Sequence, residues 1–270
     1  MLHMPRLSLC LALLACLPAA AAEPEQPDST LTRTPVEISG LRDVEWRRYR
    51  QMAESFKAYD RYRQLAPTAP LVLQLEPVAD ESLVLGVRLT IVSDNLHIPV
   101  AVDPFGRFIL PFSQAALDED ASVLINRKQG DIRWTVAIRS EGVPRNAVRL
   151  GDLRLACRIT WAVEQIDTPA AIRQRVADLG GLCDSQRAQL VQPLPEPGSK
   201  ITMLLGQTRT VLPTRFYTAA QLGWKPPVYD RNLPDSTLFE FSAPDRPPVI
   251  PAACQGRRAR HGLHAEDDDC

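Results

Sequence analysis

The chain has 270 residues, enough for one large domain or two small ones, and a 45% hydrophobic content that can bury a sizeable core. With 31 basic residues against 32 acidic ones the formal net charge is −1, which excludes a global pull toward nucleic acid or an anionic membrane. Twenty-four prolines against 13 glycines favour short strands and stiff connections, because Pro removes a backbone donor and fixes φ.

The first 22 residues have the three-part layout of a secretory signal peptide: MLHMPR with Arg6, the apolar LSLCLALLACL, and the small-residue stretch PAAAAE. The apolar run of about 11 residues is too short to cross a bilayer of ~30 Å as a helix. Ala20 and Ala22 satisfy the small-x-small rule, so cleavage after Ala22 is expected, with a periplasmic or secreted product. LLAC (13–16) resembles the lipobox of bacterial lipoproteins, which would instead leave the chain lipid-anchored through Cys16. No later apolar stretch is long enough for a membrane span, and residues 23–37, polar and Pro-rich, read as a flexible lead-in.

A long N-terminal helix is expected over 41–66, where Leu41, Val44, Tyr49, Met52, Phe56, Tyr59 and Leu65 recur at three-to-four spacing before Pro67. From residue 71 the period changes to two. LVLQLEPV, SLVLGVRLTIVSD, IPVAVD and RFILPF read as successive strands. Asp103-Pro104-Phe105-Gly106 joins the last two as a hairpin turn, with Pro where φ near −65° suits a turn and Gly where positive φ is needed. ASVLINRKQGDIRWTVAIRS reads as two more strands turning at Gly130 and Asp131.

RLGDLRLACRITWAVE alternates Leu153, Leu155, Cys157, Ile159, Trp161 and Val163 against Arg154, Arg158 and Thr160, and is expected as a strand with Cys157 on its buried face. A shorter helix, TPAAIRQRVADLGG, takes Thr168 as cap and Pro169 at its first position, and stops at Gly180 and Gly181. SQRAQLVQP, SKITMLLGQTRTVLP and STLFEFSA read as three further strands, the last two separated by a Pro-rich loop carrying Tyr217, Trp224 and Tyr229. Residues 244–270 lack periodicity and read as a disordered tail. The organisation is thus a β-rich domain over 38–243, or two small β-units near 38–145 and 146–243. The expected fold class is α+β, mainly β: an antiparallel, sandwich-like body with a long N-terminal helix and one shorter helix.

After cleavage four cysteines remain, Cys157, Cys183, Cys254 and Cys270, and an oxidising compartment favours pairing. Cys157 and Cys183 lie in structured sequence and are the expected disulfide, two buried free thiols being the other reading. No spacing matches a metal or redox CxxC site, and no metal or cofactor is expected. Of four histidines only His97 falls in the folded region, which removes most Ser-His-Asp, Cys-His and multi-His chemistry. Carboxylate catalysis survives this elimination, with Asp118, Glu119 and Asp120 as the densest acidic cluster in the expected folded part, although they read more as a solvated helix or turn than as an acid/base pair. Arg154 and Arg158, sharing one face, could meet an anionic glycan, lipid head groups or an acidic protein, a solvated sheet face being the other reading. Trp224 and Tyr229 mark a second candidate contact surface or else plug the open end of the sandwich.

VDPFGRFILP, INRKQGDIRW and RLGDLRL together resemble uncharacterised exported proteins of Gram-negative bacteria over roughly residues 35–243, a resemblance that implies no activity. VDPFGRF is also similar to the hairpin of transthyretin-like, carboxypeptidase-regulatory modules, which implies a small β-sandwich aiding binding or folding. The expected function is a non-catalytic cell-envelope protein that contacts another envelope protein or a cell-wall component, without nucleic acid. The alternative is a carboxylate-dependent hydrolase acting on cell-wall glycan. A third reading is a carrier for a small apolar ligand.

Overall fold

A computed structural model describes residues 43–244 apart from Asp80 and Gln189. The signal peptide (1–22), the lead-in (23–37), the tail beyond Pro244, and Cys10, Cys16, Cys254 and Cys270 lie outside the described residues. The described residues all fall in one compact unit, Ile38–Cys270.

The chain opens with strand β1 (Val44–Arg48) and passes directly into helix α1 (Tyr49–Tyr62). β2 (Leu73–Pro77), β3 (Leu89–Val92), β4 (His97–Val100) and β5 (Arg107–Phe108) follow, then a short helix α2 (Gln114–Asp118), β6 (Ser122–Lys128) and β7 (Ile132–Val136). They form two antiparallel sheets, ordered β1-β6-β3-β4 and β5-β2-β7. Leu89, Ile91, Val123 and Ile125 from one sheet meet Leu73, Leu75, Ile132 and Trp134 from the other in a single core. α1 closes this core with Tyr49, Met52 and Ala53. Each buried Leu, Ile, Val or Met side chain contributes about 1.5–3 kcal/mol.

The second half runs β8 (Ala147–Arg149), α3 (Leu150–Glu164), α4 (Ala170–Asp178), β9 (Gln192–Pro193), β10 (Lys200–Leu205), β11 (Thr208–Val211), β12 (Gly223–Trp224) and β13 (Leu238–Ser242). β11-β10-β13-β8 form a second four-stranded antiparallel sheet, and β12 pairs with β9. Their core gathers Leu150, Ile201, Trp224, Val228 and Phe239. The fold is α+β and mainly β, with four antiparallel sheets and four helices among the described residues.

Several local expectations are corrected. The long N-terminal helix over 41–66 is not found: Val44–Arg48 is a strand, and α1 spans 14 residues. Pairing with β6 overrides helical propensity there, and it does so by burying Glu45 and exposing Trp46. Glu45 is tolerated inside because its carboxylate accepts the Trp134 indole N–H at 2.8 Å and the Gly130 N–H at 3.0 Å. Of the strand expected through 82–94 only Leu89–Val92 forms, since Glu81–Val84 is a 3-10 turn. The segment after Arg149 is not a strand but helix α3. Leu155, Ile159 and Val163 repeat every fourth residue, and that period wins because α1 and its neighbours cover the face. Thr168 does not cap α4; its hydroxyl donates back to the Glu164 carbonyl at 2.8 Å. Residues 199–213 form the hairpin of β10 and β11 rather than one strand.

The two expected hairpins are corners. β4 pairs with β3 while β5 pairs with β2, and β6 and β7 likewise enter different sheets. The turn at Asp103–Gly106 is nevertheless locally as expected. Gly106 donates to the Asp103 carbonyl at 2.9 Å with φ at +78°. A Cβ at this position would lie 2.3 Å from the Leu75 carbonyl oxygen, so only glycine fits against β2.

Candidate functional site

The sequence nominated Arg154, Arg158, Trp224 and Tyr229, and the structure brings three of them to one cleft. Arg154 and Arg158 lie one helical turn apart on α3, so they do share a face, though of a helix. Neither guanidinium is idle. Arg154 donates through Nε to the Val228 carbonyl and through Nη1 to the Leu233 carbonyl, both at 3.0 Å. It also donates to the Asp230 carbonyl and to the Asp235 carboxylate. A loop with no regular structure is thereby fixed onto α3 by one side chain.

Arg158 makes a two-pronged pair with Asp184, at 2.6 and 2.5 Å, and lies 5.2 Å from the Tyr62 ring centroid. The Arg158 hydrogen bond holds the Asp184 carboxyl below the usual carboxylate range, against the upward push of burial. One residue earlier on each side, Cys157 and Cys183 form the expected disulfide, with Cα atoms 6.0 Å apart. Two neighbouring cross-links thus tie the segment after α4 to α3.

Trp224 belongs to the core. Only 1% exposed, it packs on Phe239 and Phe241 with ring centroids 5.1 and 5.8 Å away, so its indole offers no face to a partner. Tyr229 is half-buried in the wall between two adjoining cavities. One, of about 270 Å³, is lined by Arg154, Arg158, Asp184, Arg231 and Asp235; the other, of about 100 Å³, by Arg215, Phe216 and Lys225. Burial pushes the Tyr229 hydroxyl above its ordinary pKa, the Asp230 charge adds to this, and Arg215 opposes it.

A larger groove of about 940 Å³ lies apart from all four nominated residues. It lies on the outer face of the β5-β2-β7 sheet. Leu73 and Leu75 turn inward, so Val72 and Gln74 face out and, with Ala137, form the floor. The wall is the Asp103–Gly106 turn and the residues flanking it, which present Phe105 and Ile109, each 67% exposed. Asp103 Oδ1 accepts the N–H groups of Phe105 and Arg107 at 2.8 and 2.9 Å, and its other oxygen pairs with the Arg107 side chain at 2.8 Å. At the other end Arg139 donates to the carbonyls of Val143, Pro144 and Ala147. Both arginines of the groove are therefore engaged by their own chain, and the lining between them is largely apolar. The available signal was Phe105 at a turn tip, where a polar residue is customary.

The acidic cluster does not converge. Asp118 accepts from Gln114 at 2.8 Å, Glu119 accepts from Ser93 at 2.5 Å, and Asp120 lies 3.7 Å from Arg50. Three consecutive carboxylates with separate partners are not the facing pair that glycoside hydrolysis uses. His97 is exposed on β4. Among the described residues no group of His, Cys, Asp and Glu could hold a metal ion, and no helix is long and apolar enough to cross a membrane. Comparison with protein-family models, curated proteins and solved structures found no match to this chain.

Proposed function

We propose that this chain is a non-catalytic binding protein of the cell envelope, exported by its signal segment or anchored through Cys16, whose groove grips an apolar segment of a partner protein. The observation that carries this reading is the pair Phe105 and Ile109, held exposed over an apolar sheet face. Exposed apolar side chains are ordinary when scattered. Here they are adjacent to one cavity and held by a turn whose conformation is set by Gly106 and five hydrogen bonds to or from Asp103. Preorganised aromatic and aliphatic anchors cost little entropy to bind, which is how protein contact sites concentrate affinity.

The test is cross-linking in intact cells of the wild type and of the Phe105→Asp/Ile109→Asp variant. Both substitutions fall on exposed positions, so circular dichroism and Tm should agree between the two proteins. A dominant cross-linked protein present with the wild type and lost with the variant supports the reading. The same partners with both, or cell-wall fragments in place of protein, would overturn it.

A further inference from the structure

We propose that the cleft at Tyr229 is a second binding site, separate from the groove, and that it takes a sugar-sized ligand bearing an oxyanion, a carboxylate or a phosphate. Charge is the first ground. The two carboxylates in the cleft are already engaged by α3: Asp184 by both prongs of Arg158, and Asp235 by Arg154. Three further cations surround the same tyrosine. Arg231, with an 87% exposed side chain, reaches only to 3.5 Å from the occupied Asp184. Arg215 and Lys225 line the adjoining cavity with no carboxylate in salt-bridge range among the described residues. Asp230, whose carboxylate accepts the Asn232 N–H, sets one negative charge beside the ring against these three, and the remaining excess of positive charge favours an incoming anion.

Rigidity is the second ground, and it is independent of the first. The loop that carries Tyr229 and Arg231 has no helix or strand, yet Arg154 ties it down at Val228, Asp230, Leu233 and Asp235. Opposite it, Cys183 is covalently joined to Cys157. Pro226 and Pro227 stiffen the approach to the tyrosine. A site built this way keeps its shape without a ligand, which lowers the cost of binding. The cavity of about 270 Å³ suits a monosaccharide better than a larger molecule, and the one of about 100 Å³ across the tyrosine has room only for a small group such as the anion. The Tyr229 ring offers an apolar face to a sugar ring, and its hydroxyl a donor to the anion. Arg154 is a positioning residue here, because its donors are all used within the loop.

Isothermal titration of the folded protein with glucuronate, glucose 6-phosphate and neutral glucose tests the proposal. The anionic sugars should bind at least about tenfold more tightly than glucose, and the preference should shrink as salt is raised. Arg231→Glu/Lys225→Glu should weaken them by a further tenfold or more, on the order of the loss of two charge contacts. Tyr229→Phe should weaken them severalfold while keeping the ring. Thermal melts confirm that each variant is folded, and the exposed Arg231→Glu substitution alone serves if the pair is not. An oligouronate separates the sources of the anion: affinity rising with chain length points to a glycan polymer, unchanged affinity to a free sugar, and either result sustains the site. Equal binding of glucose, charge reversal without effect, or no binding of either anionic sugar at about 10 mM would overturn it. None of these outcomes bears on Phe105 and Ile109, so this site and the groove stand or fall separately.

Discussion

Replacing Cys157 and Cys183 together by alanine should cost stability mainly through the unfolded chain. The bridge closes a sequence separation of 26 residues, for which loop-closure entropy gives about 3.5 kcal/mol at 25 °C. Both sulfurs are buried, so their removal adds roughly 1 kcal/mol for the small voids left behind. The total, about 4.5 kcal/mol, is a large share of the 5–15 kcal/mol typical of a folded domain, yet it leaves a folded protein. The native geometry should survive, because Arg158 and Asp184 hold the same two segments at 2.5 and 2.6 Å without the sulfurs. Urea denaturation followed by far-ultraviolet circular dichroism is the assay. With m near 2.5 kcal/mol per molar, the midpoint should fall by about 1.8 M. The m value should also rise, since an unconstrained unfolded chain exposes more surface. A fall in stability below about 1 kcal/mol, or one with m unchanged, would refute an account based on the denatured ensemble.

Gly106→Ala should destabilise the protein by about 2–4 kcal/mol, from positive φ and from overlap with the Leu75 carbonyl, and should abolish partner capture at the groove. A lower Tm with capture intact would show that the turn is not the lip of the contact site. Tyr49→Phe deletes a buried hydroxyl that donates to the Pro111 carbonyl and accepts from the Ser113 N–H, each at 2.7 Å. Two backbone groups then lose their partner, so a loss of about 1–3 kcal/mol is expected in thermal melts. Asp184 has its pKa lowered in the folded state, first by the Arg158 hydrogen bond, so its contribution is full above the ordinary value of 3.8 and is lost as pH falls through the folded value. Asp184→Asn should therefore lower the urea midpoint at neutral pH and flatten the acid limb below pH 3.8, narrowing its difference from wild type there.

What could be read in advance was local chemistry. The Asp103–Gly106 turn was legible because φ near −65° and positive φ are properties of single residues, and Gly106 adopts +78°. The Cys157–Cys183 bridge follows from cysteine count and neighbourhood, even though Cys157 sits on a helix where the alternating pattern predicts a strand. Which strands pair across such a turn is not local. Turn residues say that the chain reverses, and two-sheet packing decides that β4 and β5 part company. At Glu45 and Trp46 the apolar pattern is inverted, because hydrogen bonds from Trp134 and Gly130 make the carboxylate the better buried partner. α3 carries both periods at once, every second and every fourth residue apolar, so the sequence alone leaves a tie that only packing breaks. Arg154 could be nominated as a cation on a shared face. Its four acceptors, spread over Val228 to Asp235, could not.

The same helix decides whether the two β-rich halves behave as one body. Leu150 at its start is buried in the core with Trp224, Ile201 and Phe239. Val163 near its end is buried in the core with Trp134, Leu75 and Ile91. Between them Leu155 and Ile159 pack on Ala58, Ala66 and Ala69, beside α1. A Cβ on Gly151 would lie 2.0 Å from the Leu65 carbonyl oxygen, so α3 starts as close to the segment after α1 as backbone allows. Losing α3 removes a wall from every core at once, and neither half can unfold while the other keeps its full complement of contacts. Ile159→Ala touches only the middle cluster, and its expected cost is about 2–4 kcal/mol. That cost should appear equally in both halves. Fluorine-labelled tryptophan resolves the test, because Trp134 reports one core and Trp224 the other. In urea both signals should be lost at one midpoint in the wild type, and both midpoints should move down together in the variant. Two separated midpoints, or a shift confined to one tryptophan, would mean that α3 joins the halves in space without joining them in free energy.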